Sequence, residues 1–336
     1  MSLRTSMRLR WHGALALAAL LALALTAGAA EPDFHFGVIG HSFKSGPDAG
    51  RLKQAIRETN LARPAFVVVN GIKANAESCS DKLYGQRKSV LAASERPLIL
   101  SLAASDWSDC KNSLGKSTAI DRLNRLREVF FADDMSQGEH KIALTRLSAS
   151  ASFRSYAENA QWEHGGILFA TINLPANNNH FRPEAGRNSE FEDRIVANRS
   201  WLKRLFATAE RRKIAGLVLF SDGNPGVLAE QKKLSAINTK QDGFAETRRQ
   251  IRALAKKFSG QVLLIDTETD ARPGNTGITW QDNIGHLSVT SNWVDIRVHV
   301  AAGGPAAGAP AAGAPAAGAR VAGKPSLIFA LKPRSD

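Results

Sequence analysis

The chain has 336 residues, 43% hydrophobic and 22% charged, so it can bury a substantial core and does not have the composition of a disordered polymer. Its formal charge is +13, but aromatics are only 7% and no recognisable nucleic-acid motif accompanies the charge, which argues against a specific nucleic-acid partner. The two cysteines, Cys79 and Cys110, form neither a C-x-x-C motif nor a Cys/His cluster, which argues against a structural zinc site.

Residues 1–30 read as a secretory signal peptide. Arg4, Arg8 and Arg10 precede an apolar run over 14–25, and small residues at 27–30 suit a cleavage site. An uncleaved anchor is the alternative, although the run is short against the ~20 residues a span needs. Cleavage takes away three arginines and no acid, leaving +10 of the +13 on an exported domain, 31–336, which has no further membrane span. In an oxidising compartment Cys79 and Cys110 read as a disulfide; two buried thiols are the alternative.

Downstream, short apolar runs alternate with amphipathic stretches. Strands are predicted at 34–40, 65–69, 97–100, 166–173, 215–220 and 261–265. Helices are predicted at 49–60 (Leu52 and Ile56 inward), 81–93, 118–131 (Leu123, Leu126, Phe130), 188–213 (Trp201, Leu202, Leu205, Phe206) and 243–258. Strands interleaved with helices give an α/β class. The end differs, with strands at 285–290, 293–300 and 326–331 and no helices between them. The Pro/Ala/Gly repeat at 301–324 holds no large side chain to bury and reads as a flexible hairpin connection within a single domain. Positive charge gathers at Lys203, Arg204, 211–213, Arg248, Arg249 and 252–257, on predicted helix faces.

Seven blocks, in order and spacing, resemble the calcineurin-like metallophosphoesterase superfamily, in a bacterial exported branch. They are 64–73, 79–84, Asp106-Trp-Ser-Asp-Cys110, 122–131, 156–162, 173–179 and 197–202. The resemblance implies two facing mixed β-sheets flanked by helices, a metal site where strand ends converge, and a periplasmic location. In such enzymes two adjacent cations polarise the phosphate and activate a bridging water, held by Asp, His and Asn donors. The family pattern is D-x-H after the first strand, G-D-x-x-D after the second, G-N-H-D/E after the third, then a lone His and G-H-x-H.

Against that pattern His41 stands where the branch has its first aspartate, and Gly71 stands at the bridging carboxylate. Ala103-Ala-Ser-Asp106 fills the third slot with only the final acid kept. Phe220-Ser-Asp-Gly-Asn224 and the segment 265–270 replace histidines. His286 resembles half of G-H-x-H one element too late. Under the resemblance each cysteine follows one of two successive strand ends, so the pair can approach across the cleft. A bridge there would contribute ~3–4 kcal/mol in the chain-entropy model.

No dinuclear site and no cofactor are therefore expected. A single divalent metal at His41 with Asp106, Asp222 or Asp266 is the alternative the residues leave open. Ser42 and Ser105 lack a nucleophile elbow, and no phosphate-binding glycine loop occurs. Asn177-Asn-Asn179 reads as a turn. The function expected is a non-catalytic binding or scaffolding module, and the +13 charge admits an anionic ligand, whose identity the sequence does not give. Its alternatives are a phosphoric ester hydrolase with a rebuilt site and a basic envelope protein holding an anionic polymer. The phosphoesterase label itself is fold-level analogy and not a site argument.

Overall fold

The computed structural model describes residues 33–43, 46–47, 49–183, 188–229, 242–268, 277–301 and 326–331. The expected signal segment 1–30, and all but the first residue of the expected loop 301–324, lie outside them. All described residues belong to one compact unit that begins at Pro32. Among them no helix is long and apolar enough to cross a membrane.

In chain order, β1 (Phe34–Ile39), α1 (Gly50–Ala62), β2 (Val67–Asn70), α2 (Asp81–Ala92) and β3 (Leu98–Ser101) form two successive βαβ units. The short α3 (Ala104–Trp107) and α4 (Ala119–Phe130) follow, then β4 (Thr145–Arg146), β5 (Ala160–His164) and β6 (Ile167–Thr171). A second pair of βαβ units continues through α5 (Ser189–Arg211), β7 (Gly216–Phe220), α6 (Ala245–Ala255) and β8 (Gln261–Asp266). The chain closes with β9 (Thr279–Gln281), β10 (Ile284–Ser288), β11 (Trp293–Ala301) and β12 (Ser326–Leu331).

Two mixed sheets result, one five-stranded in the order β12-β11-β1-β2-β3 and one seven-stranded in the order β4-β5-β6-β7-β8-β10-β9. Strands β1, β2 and β3 are parallel, as are β6, β7, β8 and β10, so the helix-linked strands of each sheet end at a common edge. This is the α/β architecture of two facing mixed sheets flanked by helices that the sequence led us to expect.

Strand periodicity builds the layers, because alternate residues face opposite sides of a sheet. Phe36, Val38, Phe66, Val68, Phe169, Val218, Phe220, Leu263 and Ile265 form the core between the sheets. Their neighbours in sequence face outward. Ile39, Val67, Val69 and Leu100 meet α1, α2 and α4, whereas Leu168, Ala170, Leu217, Leu219 and Leu264 meet α5 and α6. The helices complete this pattern. Trp201, Leu202, Leu205 and Phe206, predicted inward on α5, are all buried, as are Leu123, Leu126 and Phe130 on α4.

Helix ends follow local chemistry. Ser80 caps α2 by accepting the Leu83 N–H at 3.2 Å. Helix α1 stops at Arg63 in the left-handed region (φ 55°), just before Pro64.

Three short strands escaped the sequence patterns. Segment 158–162, for which the sequence predicts no strand, opens onto β5, whose residues 161–164 pair antiparallel with β6. Strands β4 and β9 have two and three residues, too few for a period. The last strands also divide between the sheets: β10 joins the seven-stranded sheet, while β11 and β12 pair antiparallel in the five-stranded one, Ala301 opposite Ser326.

Aromatic rings lock the sheets together. Phe36 and Phe66 stack at 5.3 Å, Phe36 meets Phe169 edge-on at 5.3 Å, and Phe66 meets Trp162 at 5.3 Å. Phe169 touches rings from both sheets, so Phe169→Ala should lower unfolding stability by about 3–5 kcal/mol. Urea denaturation checks this, and a loss below about 1 kcal/mol would contradict the packing described.

Candidate functional site

The parallel strands of both sheets end at neighbouring edges, where an α/β fold usually places its chemistry. Three of the candidate carboxylates sit there and all are buried: Asp106, Asp222 and Asp266 at 0%, 7% and 1% exposure. Such groups need partners, and the partners they have define their role.

Asp106 lies in the one-turn helix after β3. Its Oδ2 accepts the Ala103 N–H at 2.9 Å, half of a capping box, and its Oδ1 accepts the Ile72 N–H at 2.9 Å from the loop after β2. Asp222 follows β7. Its Oδ2 accepts two amides, Ala104 N–H at 2.6 Å and Ala176 N–H at 2.8 Å, and Thr267 Oγ1 lies 3.4 Å from its Oδ1. One carboxylate thus ties the loops after β2 and β3. The other ties the loops after β3, β6, β7 and β8, and so clasps one sheet to the other. Asn70 adds a second clasp, donating from Nδ2 to the Ser221 carbonyl at 2.7 Å.

Burial pushes the Asp106 carboxyl up to about 7; the two amides and Lys73 oppose this, and the Asp222 charge adds to it. Burial likewise raises Asp222 to about 6 against its own amide donors, with Asp266 adding repulsion. Lys73 is buried beside them, donating from Nζ to the carbonyls of Ala74 at 2.8 Å and Ser105 at 2.6 Å. Burial lowers its pKa, and Asp106 and Glu77 pull it back up.

Asp266 has a separate set of partners. It receives Ser288 Oγ at 2.8 Å and the Glu268 N–H at 3.1 Å, and its Oδ2 meets His286 Nε2 at 2.5 Å. His286 and Ser288 share one face of β10, so Asp266 is the acceptor of a strand-edge cluster of its own. His41 is half-buried in the left-handed region at φ 46°. The preceding Gly40 packs so closely on Thr267 that a Cβ there would lie 2.8 Å from Thr267 Cγ2.

The structure therefore joins Asp106 to Asp222 through consecutive amides of one short helix, and sets Asp266 with His286 instead. Among the described residues no three His, Cys, Asp or Glu side chains gather where a cation could sit. Gly71, where the family resemblance expects a bridging carboxylate, has φ 76°, and a Cβ on it would lie 2.9 Å from the Ala103 Cβ. Ala103 fills the space that a metal-binding side chain would need. The residues present do not fit a dinuclear centre.

Cys79 and Cys110 are bridged, with Cα atoms 5.9 Å apart, so the loop after β2 is stapled to the segment after α3. Tyr84 braces the same turn, donating its hydroxyl to the Asp106 carbonyl at 2.7 Å; burial raises its pKa.

Sequence patterns missed a second polar network behind this edge. Arg194 on α5 is fully buried and donates to Glu190 Oε1 at 2.7 Å, to the Asn179 carbonyl at 2.8 Å and to Asn179 Oδ1, with its guanidinium 5.6 Å from the Trp107 ring. Burial alone would raise Glu190, but Arg194 and His180 outweigh it and hold that carboxyl at about 2. The 178–180 turn held by this network has three successive residues near φ 55°, a conformation asparagine tolerates. The run of asparagines was the available signal for the turn. Nothing in the sequence marked its partner as an arginine on α5.

Compared with known proteins, the chain matches no family model and no curated relative.

The raised carboxyls give a signed pH prediction. Between about pH 4 and pH 7 folded Asp106 and Asp222 keep protons that the unfolded chain has released. Their contribution to stability is therefore largest at the acid end of that window, falls as pH rises through it, and levels off above pH 7. Urea midpoints at pH 5 and pH 8 should show a smaller alkaline loss in the Asp106→Asn/Asp222→Asn double variant than in the parent. Equal losses in the two proteins would contradict the assignment.

Proposed function

We propose that this protein is an exported binding or scaffolding module with a metallophosphoesterase-like architecture and no dinuclear phosphoesterase chemistry. The observation that carries this is the use of the strand-end carboxylates. Asp106 and Asp222 between them accept four backbone amides from loops of both sheets. These amides spend part of each carboxylate's acceptor capacity on loop backbone, and a metal at either acid would compete with those bonds. Gly71 and Ala103 in mutual contact support the same reading.

A mononuclear hydrolase using His41 with Asp106, Asp222 or Asp266 would need these groups to converge, whereas among the described residues no three His, Cys, Asp or Glu side chains gather where a cation could sit. An anionic-polymer role rests on surface cations, and several basic groups on the helices are already paired: Arg199 with Glu246, Arg212 with Glu163 at 2.7 Å and Arg248 with Asp242 at 2.5 Å. Export to a periplasm is supported by the arginine-led apolar segment at 1–30 and by the Cys79–Cys110 disulfide.

Metal analysis of the purified protein after incubation with manganese or zinc, paired with p-nitrophenyl phosphate turnover, tests the reading. The expected outcome is less than about 0.1 equivalent of tightly held metal and turnover at the buffer background. Stoichiometric metal, with turnover abolished by His41→Ala, would overturn it in favour of a hydrolase.

A further inference from the structure

We propose that a cavity of about 680 Å³ on the helix-covered face of the seven-stranded sheet binds an amphipathic anion, a molecule with one anionic head and an apolar body. The site is independent of the carboxylate clasp and of the function proposed above. It lies between the last turn of α6, the 226–229 loop and the β9–β10 turn, near the residues where β8 and β10 begin. Asp222, Asp266 and Ser288 lie at the opposite strand ends.

Its apolar floor is an opened margin of the helix-side core. Val227 and Phe258 are members of that core, and the half-buried Leu228 and Ile284 pack against it. The volume falls within the ~300–1,000 Å³ range of small-molecule sites. Two cations one helical turn apart, Arg252 and Lys256, stand on the wall. The Arg252 guanidinium is fixed there by donating from Nε to the Val227 carbonyl at 2.7 Å and from Nη2 to the Ala229 carbonyl at 2.5 Å. Lys256 is exposed and free to reach a head group at the mouth.

A helix C-terminus ordinarily repels an anion, because its last carbonyls are unsatisfied. Here the last turn of α6 is satisfied: the Lys256 N–H donates to the Arg252 carbonyl at 3.0 Å, the Phe258 N–H to the Leu254 carbonyl at 3.1 Å, and Asn283 Nδ2 to the Ala255 carbonyl at 2.9 Å. The one acid of the lining, Asp282, is exposed on a turn at φ 54°. A bare inorganic anion would leave the floor wet, and a neutral amphiphile would leave both cations unmatched. The combination selects a molecule with both parts.

Isothermal titration of the purified full chain tests this with dodecanoate, kept below its micelle threshold, and with 1-naphthoate. Octyl glucoside and sulfate serve as the neutral and the bare-anion probes. The expected result is one equivalent of at least one carboxylate bound at least tenfold more tightly than either control probe. A preference for dodecanoate identifies an acyl body, and a preference for naphthoate an aromatic one. Lys256→Glu, a surface change, and Leu228→Glu, at the floor, should each weaken binding tenfold or more, while Lys53→Glu on the distant α1 leaves it unchanged. Absence of saturable binding, equal binding of octyl glucoside, survival of binding in Lys256→Glu, or an equal loss in Lys53→Glu would overturn the proposal.

Discussion

Two buried carboxylates hold together the edge where the parallel strands of both sheets end. Loops leaving parallel strands carry backbone amides that the sheets cannot pair, and amides buried without acceptors are costly. Asp106 and Asp222 take four of them, at Ile72, Ala103, Ala104 and Ala176. Because Asp222 leaves the seven-stranded sheet and Ala104 the five-stranded one, the same contacts fix how the two sheets meet at that edge. The disulfide, the Tyr84 hydroxyl and the buried Lys73 then brace a turn whose position the carboxylates have set.

The arrangement is electrostatically expensive, and its cost is visible in the raised carboxyls of both residues. A site built for two cations would offset that repulsion with metal charge. Here amide dipoles and one lysine do so instead, and small residues close the remaining space. Gly71 against Ala103 is the clearest instance, since any larger side chain at position 71 would meet the methyl group opposite. At the other ends of the seven-stranded sheet the balance is reversed, with one fixed and one exposed cation, a satisfied helix end and apolar side chains left half-buried.

Much of the fold was legible in the sequence because its strands and helices are long enough to show a period. Trp201, Leu202, Leu205 and Phe206 announce the inward face of α5, and the valines of β2 announce a strand buried on both sides. Strands β4 and β9 were too short to read, and β5 shows only two buried residues, Ala160 and Trp162, before turning exposed. For the candidate site, sequence placed Asp106, Asp222 and Asp266 near strand ends. It could not give their direction, because a hydrogen bond from an alanine amide leaves no mark on residue identity. The partnership of Asp266 with His286 and Ser288 depends on β10 lying beside β8, a neighbour relation fixed by tertiary pairing. Arg194, buried among asparagines on a helix rich in charge, was hidden for the same reason.

The central claim is that Asp222 acts as an acceptor for loop amides, and amide hydrogen exchange at Ala104 and Ala176 tests it most directly. Both amides should exchange slowly in the parent protein. In Asp222→Ala they should lose that protection, while Ile72 and Ala103, bound to Asp106, keep theirs. Fast exchange at Ala104 and Ala176 in the parent, or protection unchanged by Asp222→Ala, would contradict the account.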